Sequence, residues 1–186
     1  MSLDGFLVVW HPFTANEVVE FGNSSKPWTL AFPEKATLAA RSRLTVVPKY
    51  KLNAISIAKY DGRVLGGIQL ELFDKEGEGW IMDAMMASET LKHGAQAGKS
   101  KAQPVGDHTA ISAISMLCLG DEFYGLQIKD QGGKVIYENK WFTPAFEGAA
   151  WIEKKLEPGR RIIGMVCNNE GPFLQRIGFV VQRCKA

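Results

Sequence analysis

Alternation of polar and apolar residues with a period of two dominates this chain, and turn residues cut the alternating runs into short pieces. Residues 68–72 (IQLEL) alternate cleanly, and Asp61-Gly62 shortly before them is a common hairpin turn. Such alternation places one face of a strand on a core and the other face in water. About ten to twelve short strands are predicted in this way, so we expect an all-β protein with antiparallel sheets.

One segment departs from the strand pattern. An isoleucine and three methionines between residues 80 and 92 have helical spacing, and the segment ends before Gly94. This spacing predicts one inserted helix over 80–92. The small polar residues that follow, 95–107, predict a mobile loop. We therefore expect one β domain over the whole chain of 186 residues, with a helix-and-loop insertion at 80–109 and N-terminal strands at 1–44 added to the fold.

Charge and cysteine content exclude several classes of protein. The 22 basic and 20 acidic residues are mixed along the chain, and the densest basic stretch, 154–161, contains Glu157, so no nucleic-acid partner is expected. The longest apolar region, 110–119, is too short for a membrane span. Three cysteines without C-x-x-C spacing fit a reducing compartment, so we expect a cytoplasmic protein, although a leader already removed would leave no trace.

No catalytic or metal-binding motif occurs in the chain. The three histidines lie far apart in sequence, without ligand spacing, so neither a metal nor another cofactor is expected. Asp107 and His108, with Ser112 nearby, are the only candidates for a hydrolytic pocket. Adjacent residues of a strand point to opposite faces, which disfavours a catalytic triad here. We do not expect an enzyme, and a hydrolase with a pocket near Asp107 and His108 is the last alternative.

Three stretches resemble the jacalin-related lectins. Residues 52–57 (LNAISI), a turn and then 62–70 (GRVLGGIQL) resemble the early hairpin of that family. Residues 158–165 (PGRRIIGM) and 171–179 (GPFLQRIGF) resemble its closing strands, and 123–126 (FYGL) resembles a strand between them. The resemblance covers about residues 45–182. It implies a β-prism of three four-stranded sheets, whereas the strand pattern alone is equally compatible with a β-sandwich.

The sugar site implied by the resemblance is altered in this chain. The family's last loop reads G-x-x-x-D, and its backbone N–H groups and aspartate hold sugar hydroxyls. Here Gln175 occupies the aspartate position, and Pro172 lacks a backbone donor. A charge-assisted hydrogen bond is roughly twice as strong as a neutral one, so weak binding of monosaccharides is expected. The glycine-rich first strand of the family's site is not recognisable in residues 1–45.

Two functions follow from this scaffold. The first hypothesis is a non-enzymatic binding or structural module that interacts with a protein partner and retains a degenerate sugar site. Residues 141–146 and Trp151 are candidates for its apolar surface. The alternative is a lectin with a glycan as its partner, and a homo-oligomer is left open in both. The candidate ligand-binding residues of the lectin are Asn168, Asn169, Glu170, Gly171, Phe173 and Gln175.

Overall fold

Eleven strands, and no helix, are present in the part of the chain that the computed structural model describes, which is residues 17–22, 29–30, 51–60, 62–73, 79–85, 101–143, 148–167 and 174–183. The strands are β1 (Glu17–Gly22), β2 (Thr29–Leu30), β3 (Lys51–Tyr60), β4 (Val64–Phe73), β5 (Gly79–Met85), β6 (Gln103–Pro104), β7 (Ile111–Leu119), β8 (Glu122–Asp130), β9 (Val135–Lys140), β10 (Ala150–Cys167) and β11 (Arg176–Arg183). Neighbouring strands pair antiparallel. The predicted all-β class is confirmed.

Three four-stranded layers result from the strand order. One layer has the order β5-β4-β3-β6, and the remaining seven strands form a single hydrogen-bonded sheet. Strand β10 divides that sheet, because Ala150–Lys155 pair with β7 whereas Arg160–Cys167 pair with β11. The two halves, β1-β11-β10-β2 and β10-β7-β8-β9, therefore share β10. This is the three-sheet arrangement that the resemblance implied.

The main apolar core joins the three layers, and a smaller buried cluster of Val64, Leu117 and Tyr124 lies apart from it. The main core contains fully buried side chains from each layer, such as Leu70 of β4, Leu126 of β8 and Phe179 of β11. The ring of Phe179 meets that of Phe21 edge-to-face, with 6.3 Å between their centroids, so the core also holds β1. The apolar side chains of the alternating pattern thus point inward from all three layers.

The helix predicted at 80–92 is wrong over its first part. Trp80 to Met85 belong to β5, which pairs with β4 in unbroken register from Phe73↔Gly79 to Gly67↔Met85. Without β5, β4 would leave a row of backbone groups without partners, so sheet pairing outweighs the helical spacing of the methionines. Residues 86–92 lie outside the described residues.

The loop predicted at 95–107 is also corrected where the structure describes it. Gln103 and Pro104 form β6 and complete the layer beside β3. The backbone N–H of Val105 donates to the carbonyl of Asn53 at 2.7 Å, and that of Gly106 to the carbonyl of Ile136 at 2.7 Å. The end of the expected insertion is therefore tied to two sheets. Within the described residues, no helix combines the length and apolar character needed to cross a bilayer.

Replacing Phe179 by alanine should lower the free energy of unfolding by about 3–5 kcal/mol, because a fully buried ring leaves a cavity. Urea denaturation followed by circular dichroism measures this change. Val135→Ala is the control, since its side chain is 41% exposed and its loss should matter by no more than about 0.5 kcal/mol. Equal losses in the two variants would contradict the common core.

Candidate functional site

The closing loop, residues 168–175, leads from β10 into β11 and carries the predicted ligand-binding residues. The structure describes only its last two residues, so Asn168, Asn169, Glu170, Gly171 and Phe173 lie outside the described part. Leu174 is fully buried, and its backbone N–H donates to the carbonyl of Leu65 at 2.8 Å. Gln175 is half-buried. The base of the loop is thus anchored to the start of β4.

Gly22, at the end of β1, is the residue on which the closing loop packs. A Cβ atom at this position would lie 2.1 Å from the carbonyl oxygen of Gln175 and 3.0 Å from the ring of Phe123. Its φ of +88° is also a backbone conformation that side chains disfavour. Only glycine therefore allows the end of β1 to approach the closing loop this closely.

An ion pair lies beside the base of the closing loop. Arg176, the residue after Gln175, donates from Nη2 to Oε2 of Glu20 on β1 at 2.8 Å. The side chain of Glu20 is 45% exposed, whereas that of Arg176 is 19% exposed. A carboxylate has about four acceptor positions on its two oxygens, so Glu20 retains the capacity to accept further hydrogen bonds.

A cavity of about 240 Å³ opens next to this ion pair. It lies between the end of β1, the turn that joins β7 to β8, and the first half of β10. A glutamate, a lysine, a phenylalanine and a cysteine are among the residues of its wall. The lining residues are Glu20, Phe21, Gly22, Cys118, Gly120, Ile152 and Lys154.

The thiol in this wall is protonated, and therefore uncharged, at physiological pH. Burial raises the pKa of Cys118 to about 11, because the apolar surroundings disfavour the thiolate. Cys118 was not predicted from the sequence to belong to a site. Glu20, Gly22 and Lys154 were missed as well, since no sequence motif links them to the closing loop.

The aromatic surface predicted at 141–146 is largely packed inward where it is described. Trp141 packs against the core and donates from Nε1 to the carbonyl of Phe123 at 3.2 Å. Phe142 packs on Tyr124, with 5.7 Å between the ring centroids. Residues 144–146 lie outside the described part, so this surface is not assembled by the residues we observe.

Tyr124, on which Phe142 packs, also makes a polar contact. Its hydroxyl donates to the carboxylate of Glu122. Burial, and then the hydrogen bond and charge of Glu122, raise the pKa of Tyr124 to about 12. The phenol is therefore neutral at physiological pH and serves as a donor only to Glu122.

The proposed hydrolytic groups do not form a triad. Asp107 pairs with Lys51 at 3.1 Å, and this hydrogen bond and charge hold the pKa of Asp107 below its ordinary value. Nδ1 of His108 lies 2.8 Å from the carbonyl oxygen of Gly106, and the hydroxyl of Ser112 donates to the carbonyl of Asp130. The three groups have separate partners, so no base lies on the nucleophile.

Solved structures with the same architecture identify the fold. Calystegia sepium agglutinin matches with a TM-score of 0.53 and 13% identity, over 90% of this chain and 97% of that chain. The fold is that of the jacalin-related lectins. A mannose-binding lectin from champedak matches with a TM-score of 0.52 and 13% identity, over 90% and 96% of the two chains. The artocarpin–mannotriose complex matches with a TM-score of 0.50 and 11% identity, over 90% and 97%.

Comparison at the level of sequence adds no relative, since neither a protein-family model nor a curated protein matches the chain. The likeness to the lectins is therefore one of fold. In this chain the lectin fold brings the base of the closing loop, the Glu20–Arg176 pair and the cavity to one end of the molecule.

The Gly22→Ala variant should lose about 2–5 kcal/mol of stability, since a left-handed backbone strain of about 1–2 kcal/mol adds to overpacking of about 1–3 kcal/mol. Gly133→Ala is a matched control, because its φ is +79° and nothing lies within 4 Å of the added Cβ. It should show the backbone strain alone. Urea denaturation of both variants measures the difference, and equal losses would show that β1 does not pack on Gln175.

Cys118 should react slowly with iodoacetamide in the folded protein at pH 8. A pKa of about 11 in place of 9.0 leaves about a hundredfold less thiolate, which is the reacting species. Mass spectrometry of the Cys118 peptide, in native buffer and in urea, gives the two rates. Similar rates in both would mean that the thiol is not buried in the cavity wall.

Proposed function

We propose that the protein is a non-enzymatic carbohydrate-binding module whose ligand lies between the closing loop and the cavity. The observation that carries this proposal is the cavity of about 240 Å³ lined by Glu20 and Lys154 beside Gln175, at one end of a lectin fold. A concave site with a few convergent polar groups on an apolar wall is typical of small-molecule binding.

The chemistry of the lining residues suits sugar hydroxyl groups. A hydroxyl both donates and accepts hydrogen bonds, so a carboxylate and an ammonium group in one wall complement it. Lys154 donates and Glu20 accepts, while Ile152, which is 44% exposed, offers apolar contact for the C–H groups of a sugar ring. One wall thus carries all three kinds of contact.

Glu20 compensates in this proposal for the missing aspartate of the closing loop. The neutral amide of Gln175 is a weaker acceptor than a carboxylate. Glu20 supplies the charged acceptor from the neighbouring strand instead, held in place by Arg176. The acceptor is shifted from the loop to β1, so the sugar specificity of the site should differ from that of a G-x-x-x-D loop.

Relatives of the fold favour oligosaccharides as the first ligands to test. Calsepa lectin has been solved with a bisected glycan and with a biantennary N-glycan, and artocarpin with mannotriose and mannopentose. A monosaccharide should bind this protein at millimolar concentration or more weakly, since one charged contact is only partly replaced. A longer glycan gains contacts outside the cavity.

The protein-interaction hypothesis remains a prediction with less support. Among the described residues, the large apolar side chains that are exposed are Val135, Trp151 and Ile152. Trp151 and Ile152 are adjacent on a strand and point to opposite faces, so they do not make one apolar patch. A hydrolase ranks last, because Asp107 and His108 have separate partners and lie apart from the cavity.

Glycan-array screening followed by calorimetry with the best oligosaccharide tests the function. Glu20→Gln keeps the shape of the side chain but removes its charge, and should weaken binding about tenfold, since a charged hydrogen bond exceeds a neutral one by about 1–1.5 kcal/mol. Glu157→Gln is the matched control, because Glu157 is an exposed glutamate that also pairs with an arginine, Arg160, outside the cavity lining. It should leave the affinity unchanged.

A second variant separates the position of the site from the role of Glu20. Gln175→Asp places a carboxylate in the closing loop and should tighten binding several-fold, although Pro172 still provides no backbone donor. If no glycan binds the folded protein, the proposal fails and protein interaction becomes the leading function. If a glycan binds but neither variant changes its affinity, the site lies elsewhere.

A further inference from the structure

The outer face of the layer β10-β7-β8-β9 carries a second set of side chains suited to a ligand. Residues that pair directly across an antiparallel sheet share a face, so two rows cross it. The first row is Trp151, Leu117, Gly125 and Lys140, and the second is Glu153, Ser115, Gln127 and Glu138. The cavity-lining Ile152 and Lys154 alternate with Trp151 and Glu153 along β10, so they belong to the opposite face.

Gly125 leaves room on this face for the indole of Trp151. A Cβ atom on Gly125 would lie 2.9 Å from Cη2 of Trp151, so the ring reaches from β10 across β7 to β8. The residue nevertheless remains 39% exposed. The strand pairing and the absence of a side chain at Gly125 thus place a large aromatic group over β7 and β8, where it is open to solvent.

Polar side chains bridge the strands in the row next to the indole. Lys129 of β8, which lies in the following row beside Ala113, pairs with Glu153 of β10, again across β7. Gln127 donates from Nε2 to Glu138 of β9 at 2.5 Å. Ser115, between them on β7, is buried under these contacts. Neighbouring positions on one face are about 7 Å apart along a strand, so these donors and acceptors lie beside the edge of the indole.

From this arrangement we infer that the outer face is a second carbohydrate-binding surface, with Trp151 as its stacking platform. The C–H groups of one sugar face pack on the indole, which gains the apolar contact of a large aromatic side chain. The hydroxyls of the same sugar, or of the next one, reach Glu153, Lys129 and Gln127. Each of these is a charged or amide group able to bond a hydroxyl.

The charge of this face favours a neutral, polyhydroxylated ligand over the other occupants. The Lys129–Glu153 pair is neutral. The other charged residues that strand pairing places on this face are Lys140, Lys155, Glu122 and Glu138, so their charges balance. A polyanion would require a basic field, and a protein interface would require a contiguous apolar core around Trp151. This site goes beyond the proposed function, because it needs neither the closing loop nor the cavity.

Indole NMR of the ¹⁵N-tryptophan-labelled full chain tests the site directly. Mannotriose, cellotriose and maltotriose are titrated to millimolar concentrations while the Nε1–H signals are followed. We expect a saturable shift of the Trp151 signal with at least one of them. Trp141 is the internal control, since its Nε1–H is bonded to the carbonyl of Phe123, and its signal should not move.

Variants separate this site from the cavity. In Glu20→Gln the Trp151 shift should persist, with a dissociation constant within about twofold of the wild type, whatever happens to binding at the cavity. In uniformly ¹⁵N-labelled protein, the side-chain amide of Gln127 should also shift on binding. Trp151→Tyr keeps an aromatic platform and should preserve this Gln127 shift. Trp151→Leu keeps only apolar bulk and should weaken that response about tenfold or more.

Two results would overturn the second surface. One is that none of the three saccharides moves the Trp151 signal in the folded protein. The other is that the shift disappears in Glu20→Gln, which would show that Trp151 only reports binding at the cavity. A Trp151 shift that persists in Glu20→Gln, together with no ligand binding at the cavity, would instead contradict the proposed function and support the second surface.

Discussion

Strand β10 hydrogen-bonds to two different sheets, and both candidate binding surfaces depend on where it changes partner. Ala150–Lys155 pair with β7, and Arg160–Cys167 pair with β11. The change falls at Pro158, which has no N–H to donate, and at Gly159, whose φ is +78°. Backbone groups that leave one sheet are therefore taken up by the next, and the three layers close on one core.

The register of β10 decides what each of its faces presents. In the observed register Ile152 and Lys154 line the cavity, whereas Trp151 and Glu153 lie on the outer face. A shift of one residue would exchange these faces and remove both arrangements at once. The Leu117–Gly125 row, which receives the indole, and the Lys129–Glu153 pair both match the observed register. Core packing and candidate function are thus coupled through a single strand.

The sequence predicted the architecture well and the candidate site only in part. Alternation along β4, and the resemblance of the first hairpin and the closing strands, led to the all-β fold with three sheets. The same local reasoning failed for β5, where helical spacing of methionines was overruled by pairing with β4. Local periodicity does not reveal which edge a segment must fill.

What the sequence by itself determined is most of the strands, the turns between them and the loss of an acidic residue at Gln175, because these depend on neighbouring residues. Only the tertiary structure decided which groups surround Gln175. They are the carboxylate of Glu20, the backbone of Gly22 and the residues of β10 that line the cavity. These groups come from strands far apart in the chain. Only strand order and register bring them together, and both are set by the burial of the common core.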